Sequence, residues 1–266
     1  MQEKSLQGFR DGGDQRGEST TLLKLGNVLV ERGELSQAIL DYERAAAITE
    51  KIGYKLGSTA NLEGFAQISL IRDQVSQARD QEEQALALRK DAGDTVQIAQ
   101  SQLVLAAIAN EQGKPAEAEA LIRAAAPEFE QQTMATGASQ SVALLARALL
   151  AESKIGDAEA AAANALALAE RTSDRSTHLL ATLAAAEVNA RTGKQPAATE
   201  ALHSVLSESV RDGYKEFEFE ARLHLGRLEL HSSRASSRQR LEKLEENASR
   251  KDFLLIARKA REELDR

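Results

Sequence analysis

The sequence contains no cysteine and no tryptophan, only three prolines in 266 residues, and aromatic side chains make up just 3% of it. Without cysteine, neither a disulfide framework nor a thiolate metal site can form, which fits a reducing compartment. The scarcity of proline removes the strongest breaker of helices. No run approaches the eighteen or so apolar residues of a membrane span; the most apolar stretch, 141–151, is interrupted by Arg147. The first ten residues contain no apolar core of a secretory signal. A cytoplasmic location is therefore expected, or a periplasmic one if a membrane span precedes the chain.

What is present is Ala, Leu and charge. Charged residues make up 28% of the chain, and good helix formers fill nearly every stretch, so the fold class is all-α. The net charge of −7 disfavours a general affinity for nucleic acid. From Arg234 to Arg266, however, ten Lys and Arg face seven Asp and Glu, leaving 24 basic against 34 acidic residues elsewhere. Two readings of this basic end stand: a solvated terminal face, or a surface that docks an acidic partner.

The organisation is an internal repeat. Ala38, Ala78, Ala118, Ala158 and Ala198 recur every forty residues, with no insertion or deletion. Twelve residues before each lies another small residue, and the series Gly26, Ala66, Ala106, Ala146, Ala186 and Gly226 runs through six units. Ala45, Ala85, Ala125 and Ala165 form a further small column. Leu25, Phe65, Leu105, Leu145 and Leu225 form a large one, with Ala185 the exception.

Each unit holds two helical segments, A and B. In the first unit they run from about Glu18 to Arg32 and from Glu34 to Lys51. The turn after A carries Gly33, Gly113 or Gly193, the last two followed by Pro115 and Pro196. The turn after B carries Gly53, Gly93 or Gly213, with Ser173 in the equivalent place. Glycine ends a helix in the left-handed conformation and proline suits the first turn of the next. Such short turns make neighbouring helices antiparallel.

These columns resemble the tetratricopeptide repeat family. The family has a large residue and then a large-small pair in helix A, a small residue in helix B and another seven later. Here that reads Leu22, Leu25-Gly26, Ala38 and Ala45, then Leu62, Phe65-Ala66, Ala78 and Ala85. The family's aromatics are mostly missing, Tyr42 being one survivor, and the period is longer than the usual one. That is similar to the long-repeat branch, as in kinesin light chain, while Ala-Leu-Ala-Leu-Arg-Lys-Asp-Ala-Gly-Asp at 85–94 and Phe-Leu-Leu-Ile-Ala-Arg-Lys-Ala at 253–260 resemble C-terminal repeat regions of bacterial serine/threonine kinases and transcriptional regulators. The resemblance implies a right-handed α-solenoid over residues 1–266. It comprises a remnant of an earlier repeat at 1–14, six hairpins over 18–251 and a polar-faced capping helix at 253–265. Unit six loses the pattern, with Arg238 and Glu245 at the small positions. The chain starts inside a helix B, so a piece of a longer protein is expected. Pro127, inside helix B of unit three, should kink or end that helix.

Motifs for chemistry are missing. No glycine-rich phosphate loop occurs, and Asp11-Gly-Gly-Asp14 is too sparse for a calcium loop and reads as a turn. Glu82-Glu83 and Glu245-Glu246 read as surface charges. Glu220, His224 and His231 could share a helix face, but without cysteine they read as ordinary surface side chains, so no metal or other cofactor is expected. No Ser/His/Asp set stands out. The chain is not expected to be an enzyme.

Function then rests on surface shape. The resemblance puts the A helices on the concave side, with Thr20, Leu23, Asn27, Val30 and Glu31 facing the groove in unit one. The Asn27 position becomes Gln67, Ala107, Arg147, Glu187 and Arg227 along the array, with Asn110, Gln140 and Glu220 close by. This line of polar groups fits capture of a peptide or protein partner; the competing reading is a merely solvated inner face. The expected function is a protein-protein interaction scaffold, the docking or sensory region of a larger bacterial signalling protein. The alternative is the non-catalytic regulatory region of a protein kinase.

Overall fold

In the computed structural model, which describes residues 2–230 and 234–265, every regular element is a helix. The fourteen are α1 Gln2–Gly12, α2 Gln15–Glu31, α3 Leu35–Ile52, α4 Lys55–Ile71, α5 Val75–Ala92, α6 Thr95–Glu111, α7 Pro115–Gln131, α8 Ala135–Ala151, α9 Ile155–Ala169, α10 Arg175–Arg191, α11 Gln195–Asp212, α12 Lys215–Glu229, α13 Arg234–Arg250 and α14 Leu254–Leu264. The degenerate sixth unit still forms both of its helices, α12 and α13. None of the described helices is long and apolar enough to cross a membrane.

The turns recur at half the repeat length. Left-handed backbone appears at Gly13, Gly33, Gly53, Asp73, Gly93, Gly113, Thr133 and Ser153, each twenty residues after the last. Ser173 breaks this series. There α9 stops early at Ala169, and Asp174 caps α10 by accepting a hydrogen bond from the Thr177 N–H at 2.9 Å. Asp14 and Asp94 cap α2 and α6 in the same way. Helix α7 neither stops nor starts anew at Pro127 but continues to Gln131. Proline removes one hydrogen bond, while Phe129 two residues on is buried and anchors the last turn.

The small columns lie where A and B helices cross. Ala66, Ala106, Ala146 and Ala186, and Ala38 through Ala198, are all fully buried. At Gly26 an added β-carbon would sit 2.3 Å from the Tyr42 ring, which is why only hydrogen fits there. The sixth unit keeps this pattern one residue out of step. Ser237, Leu241, Leu244 and Ala248 are buried in α13 where a strict forty-residue repeat would bury Arg238, Glu242, Glu245 and Ser249. The Ser237 hydroxyl donates to the Gly226 carbonyl at 2.6 Å across the crossing. The period therefore holds without interruption to Gly226 and loses one residue before Ser237, which corrects the reading that unit six abandons it.

Each helix packs on its neighbours, giving a series of local cores, with one exception. A single apolar cluster joins Leu22, Val30 and Ile68 near the start of the chain to Phe219, Leu241, Phe253 and Ile256 near its end. Ion pairs bridge the same seam: Arg72 with Asp252 at 2.6 Å, Arg258 with Asp73 at 2.8 Å, and Lys259 with Glu111 at 2.7 Å. The array thus turns back on itself, and α14 lies between α13 and α4. It buries Leu255, Ile256, Ala257 and Ala260 and leaves Arg261 and Glu262 exposed.

Candidate functional site

The A helices α6, α8, α10, α12 and α14 bring a set of charged side chains together. Arg147 on α8 lies 3.1 Å from Glu187 on α10, and its Nη2 donates to Glu220 on α12 at 3.4 Å. His224, one turn after Glu220, places Nε2 3.3 Å from the same Glu187 carboxylate. Arg227 donates from Nε to Glu263 on α14 at 2.8 Å. The paired groups are thirty-six to seventy-three residues apart in sequence; Arg147, Glu187 and Arg227 hold the same helical position in successive units, and Glu220 and His224 lie two turns and one turn before it on α12.

The electrostatics follow from crowding in a partly dry setting. Burial alone would push Glu187 up, but Arg147 and His224 beside it hold its carboxyl at about 2. Arg147 is disfavoured by burial yet held more firmly protonated by Glu187, Glu220 and Glu111. At Glu216 the pull of Arg147 and Lys259 is outweighed. Burial, reinforced by the Glu220 charge, raises it to about 7. Carboxylates outnumber cations here, so the face as a whole is acidic.

Beside this network is a cleft of about 410 Å³, with Leu150, Leu202 and Leu228 among its apolar walls and Glu187, His224 and Arg227 among its polar ones. That volume lies within the range of about 300–1,000 Å³ in which ligand clefts fall. The structure places the other expected groove residues less uniformly. Asn27 is exposed, and its Oδ1 accepts the Tyr42 hydroxyl at 2.6 Å. Gln67 is exposed. Gln140 donates to Thr177 Oγ1 at 3.1 Å. Asn110 is half-buried, and its Oδ1 has no hydrogen-bond partner among the described residues. Arg147, Glu187 and Glu220 form one group, then, with Arg227 beside it.

The candidate metal set does not assemble among the described residues: no three His, Asp or Glu side chains there are placed to hold an ion. His224 is engaged with Glu187, and His231 lies outside the described residues.

Sequence reasoning missed a second charged cluster. Glu82 was expected at the surface and is instead 0% exposed, paired at 3.3 Å with Arg89, which is 2% exposed. Arg89 also bonds Ser101 and Glu63. Glu82 and Arg89 occupy the core positions that hold Tyr42 and Thr49 in unit one, and Ile122 and Phe129 in unit three. The signal was there in the forty-residue register, since both columns face inward in every other unit.

Against known proteins, the tetratricopeptide repeat family model matches residues 19–52, which span α2 and α3. No curated protein matches the chain in sequence. Among solved structures, the chain is similar to a Rap protein complexed with competence and sporulation factor, at 15% identity and a TM-score of 0.68, covering 93% of this chain and 74% of that one. It is similar to the Rap conjugation gene regulator of plasmid pLS20 in complex with the Phr* peptide, at 13% identity and a TM-score of 0.62, covering 94% and 75%. A putative kinesin light chain of Podosopora anserina with nearly identical TPR-like repeats aligns at 19% identity and a TM-score of 0.52, covering 73% and 95%. At these identities the likeness is one of fold. Together with the hairpin at 19–52 and the buried small columns, it gives the chain the fold of a tetratricopeptide-repeat α-solenoid.

Proposed function

We propose that this chain captures a peptide segment of a partner on its concave face, as the docking or sensory region of a larger bacterial signalling protein. The observation that carries this is the network of Arg147, Glu187, Glu220 and His224, drawn from three helices beside an apolar-walled cleft. Fixed charges of both signs select one register of a bound chain over its neighbours, while Leu150, Leu202 and Leu228 supply a place for an apolar side chain. One structure of the same fold is a regulator solved with a peptide, which supports the same reading. Binding rather than catalysis is the role, with Asn27, Gln67, Asn110 and Gln140 bordering the path.

A random peptide library selected on the immobilised chain supplies the ligand for the test. Hits are then titrated calorimetrically against Arg147→Gln plus Arg227→Gln, with helicity checked by circular dichroism. Glutamine avoids placing a new carboxylate against Glu187 and Glu220. Affinity should fall at least about tenfold, or 1.4 kcal/mol. The outer control is Arg44→Glu plus Arg123→Glu, both exposed; Arg89, on an outer helix, is buried and unsuited to this. Loss in the control with retention in the inner pair would refute the concave reading.

A further inference from the structure

A second cleft, of about 400 Å³, lies between α11, α12 and α13. Leu206, Leu225 and Leu244 form its apolar part, and His203, Arg222, Arg240 and Lys243 surround them. His203, Arg240 and Lys243 are exposed. Val210, one turn beyond Leu206 on α11, is 55% exposed and extends the apolar strip.

The internal repeats show that this cationic ring is particular to the last units. Arg222 occupies the position held by Leu22, Leu62, Gln102, Val142 and Thr182 in the others. With the one-residue shift of α13, Arg240 corresponds to Asp41, Gln81, Leu121, Ala161 and Ala201, and Lys243 to Arg44, Gln84, Ala124, Asn164 and Ser204. Three cations therefore stand around one apolar floor where no earlier unit has more than one. Two are held in place by carboxylates: Arg222 pairs with Glu218 at 2.7 Å, and Arg240 pairs with Glu229. A guanidinium has five N–H donors, so both retain capacity for another acceptor.

We propose that this cleft docks an acidic peptide segment of a partner protein, one apolar side chain resting on Leu206, Leu225 and Leu244 and flanking carboxylates meeting Arg222, Arg240 and Lys243. The bland reading of the basic C-terminal part, a solvated face, does not account for three cations converging on an apolar floor. Nucleic acid fits less well. Among the described residues no Phe, Tyr or Trp lines the cleft for a base to stack on, Glu218 and Glu229 stand beside the arginines, and the chain carries a net −7. The site shares no residue with the concave network, so either can fail without the other.

The probe is a fluorescein-labelled peptide of Asp and Glu with one central Leu, followed by anisotropy at low and high salt. The comparison ligands are the same peptide with Leu→Ser and a single-stranded RNA oligonucleotide. The acidic peptide should bind at low salt, weaken with salt because the pairs are exposed, and weaken with Leu→Ser. Arg240→Gln plus Lys243→Gln, both on the surface and safe for folding, should lower its affinity at least about tenfold. Arg44→Gln plus Arg123→Gln should leave it unchanged. No peptide binding at low salt, equal loss in the control pair, indifference to Leu→Ser, or tighter binding of the RNA would each overturn the proposal.

Discussion

Replacing Glu82 by Ile should destabilise the array, and replacing its partner Arg89 by Phe in the same chain should rescue it. The single change leaves a guanidinium, 2% exposed and already lacking a partner at Nε, without its buried carboxylate. Breaking a buried pair this way costs about 3–5 kcal/mol. The double change installs the Ile and Phe that unit three carries at the same two positions, where Ile122 and Phe129 are buried. Apolar replacement of a buried pair is neutral or stabilising by about 1–4 kcal/mol. Glu63, partly exposed, returns to water. The double variant should therefore be more stable than the single by about 3 kcal/mol or more. Acidity offers an independent check. Burial raises Glu82 to about 7, opposed by the Ser101 hydrogen bond and helped by Glu63. A carboxyl that holds its proton more tightly when folded stabilises fully below its ordinary value of 4.5, and that contribution is lost as pH rises through about 7. The displacement corresponds to roughly 3 kcal/mol at most. Urea unfolding followed by circular dichroism at pH of about 5 and about 8, with the slope m held constant, reads both effects. Glu82→Gln, which cannot ionise, should flatten the difference between the two pH values. An unchanged midpoint in Glu82→Ile, or a double variant weaker than the single, would refute the buried-pair account.

Two further outcomes test the packing. Ala106→Leu, and Gly26→Ala beside Tyr42, should each overpack a helix crossing and lower stability by about 1–3 kcal/mol, read as a shift in the urea midpoint; no shift would mean the register is wrong. Arg258→Glu plus Lys259→Glu should part the seam by placing acids against Asp73 and Glu111, seen as a larger radius of gyration in small-angle X-ray scattering at low salt and recovering as salt screens the repulsion.

The helices, their antiparallel order and the crossings at Ala38, Ala66 and Ala106 were legible in the sequence because each depends only on neighbours forty residues apart or fewer. A small residue where two helices touch leaves the same mark in every unit, so the column can be read without coordinates. Local rules also located the turns, although Pro127 was overruled by the burial of Phe129. The one-residue step before Ser237 was missed for want of allowing a gap, and Glu82 because its chemistry was judged apart from its column. The ring-like return was not legible at all. Arg72 meets Asp252, and Lys259 meets Glu111, across more than a hundred residues, and their distance is set by the small rotation between units summed over the whole array. No local pattern encodes that sum, so only the tertiary structure decided that Arg147, Glu187 and Glu220 would neutralise one another and that the last helix would close against the fourth.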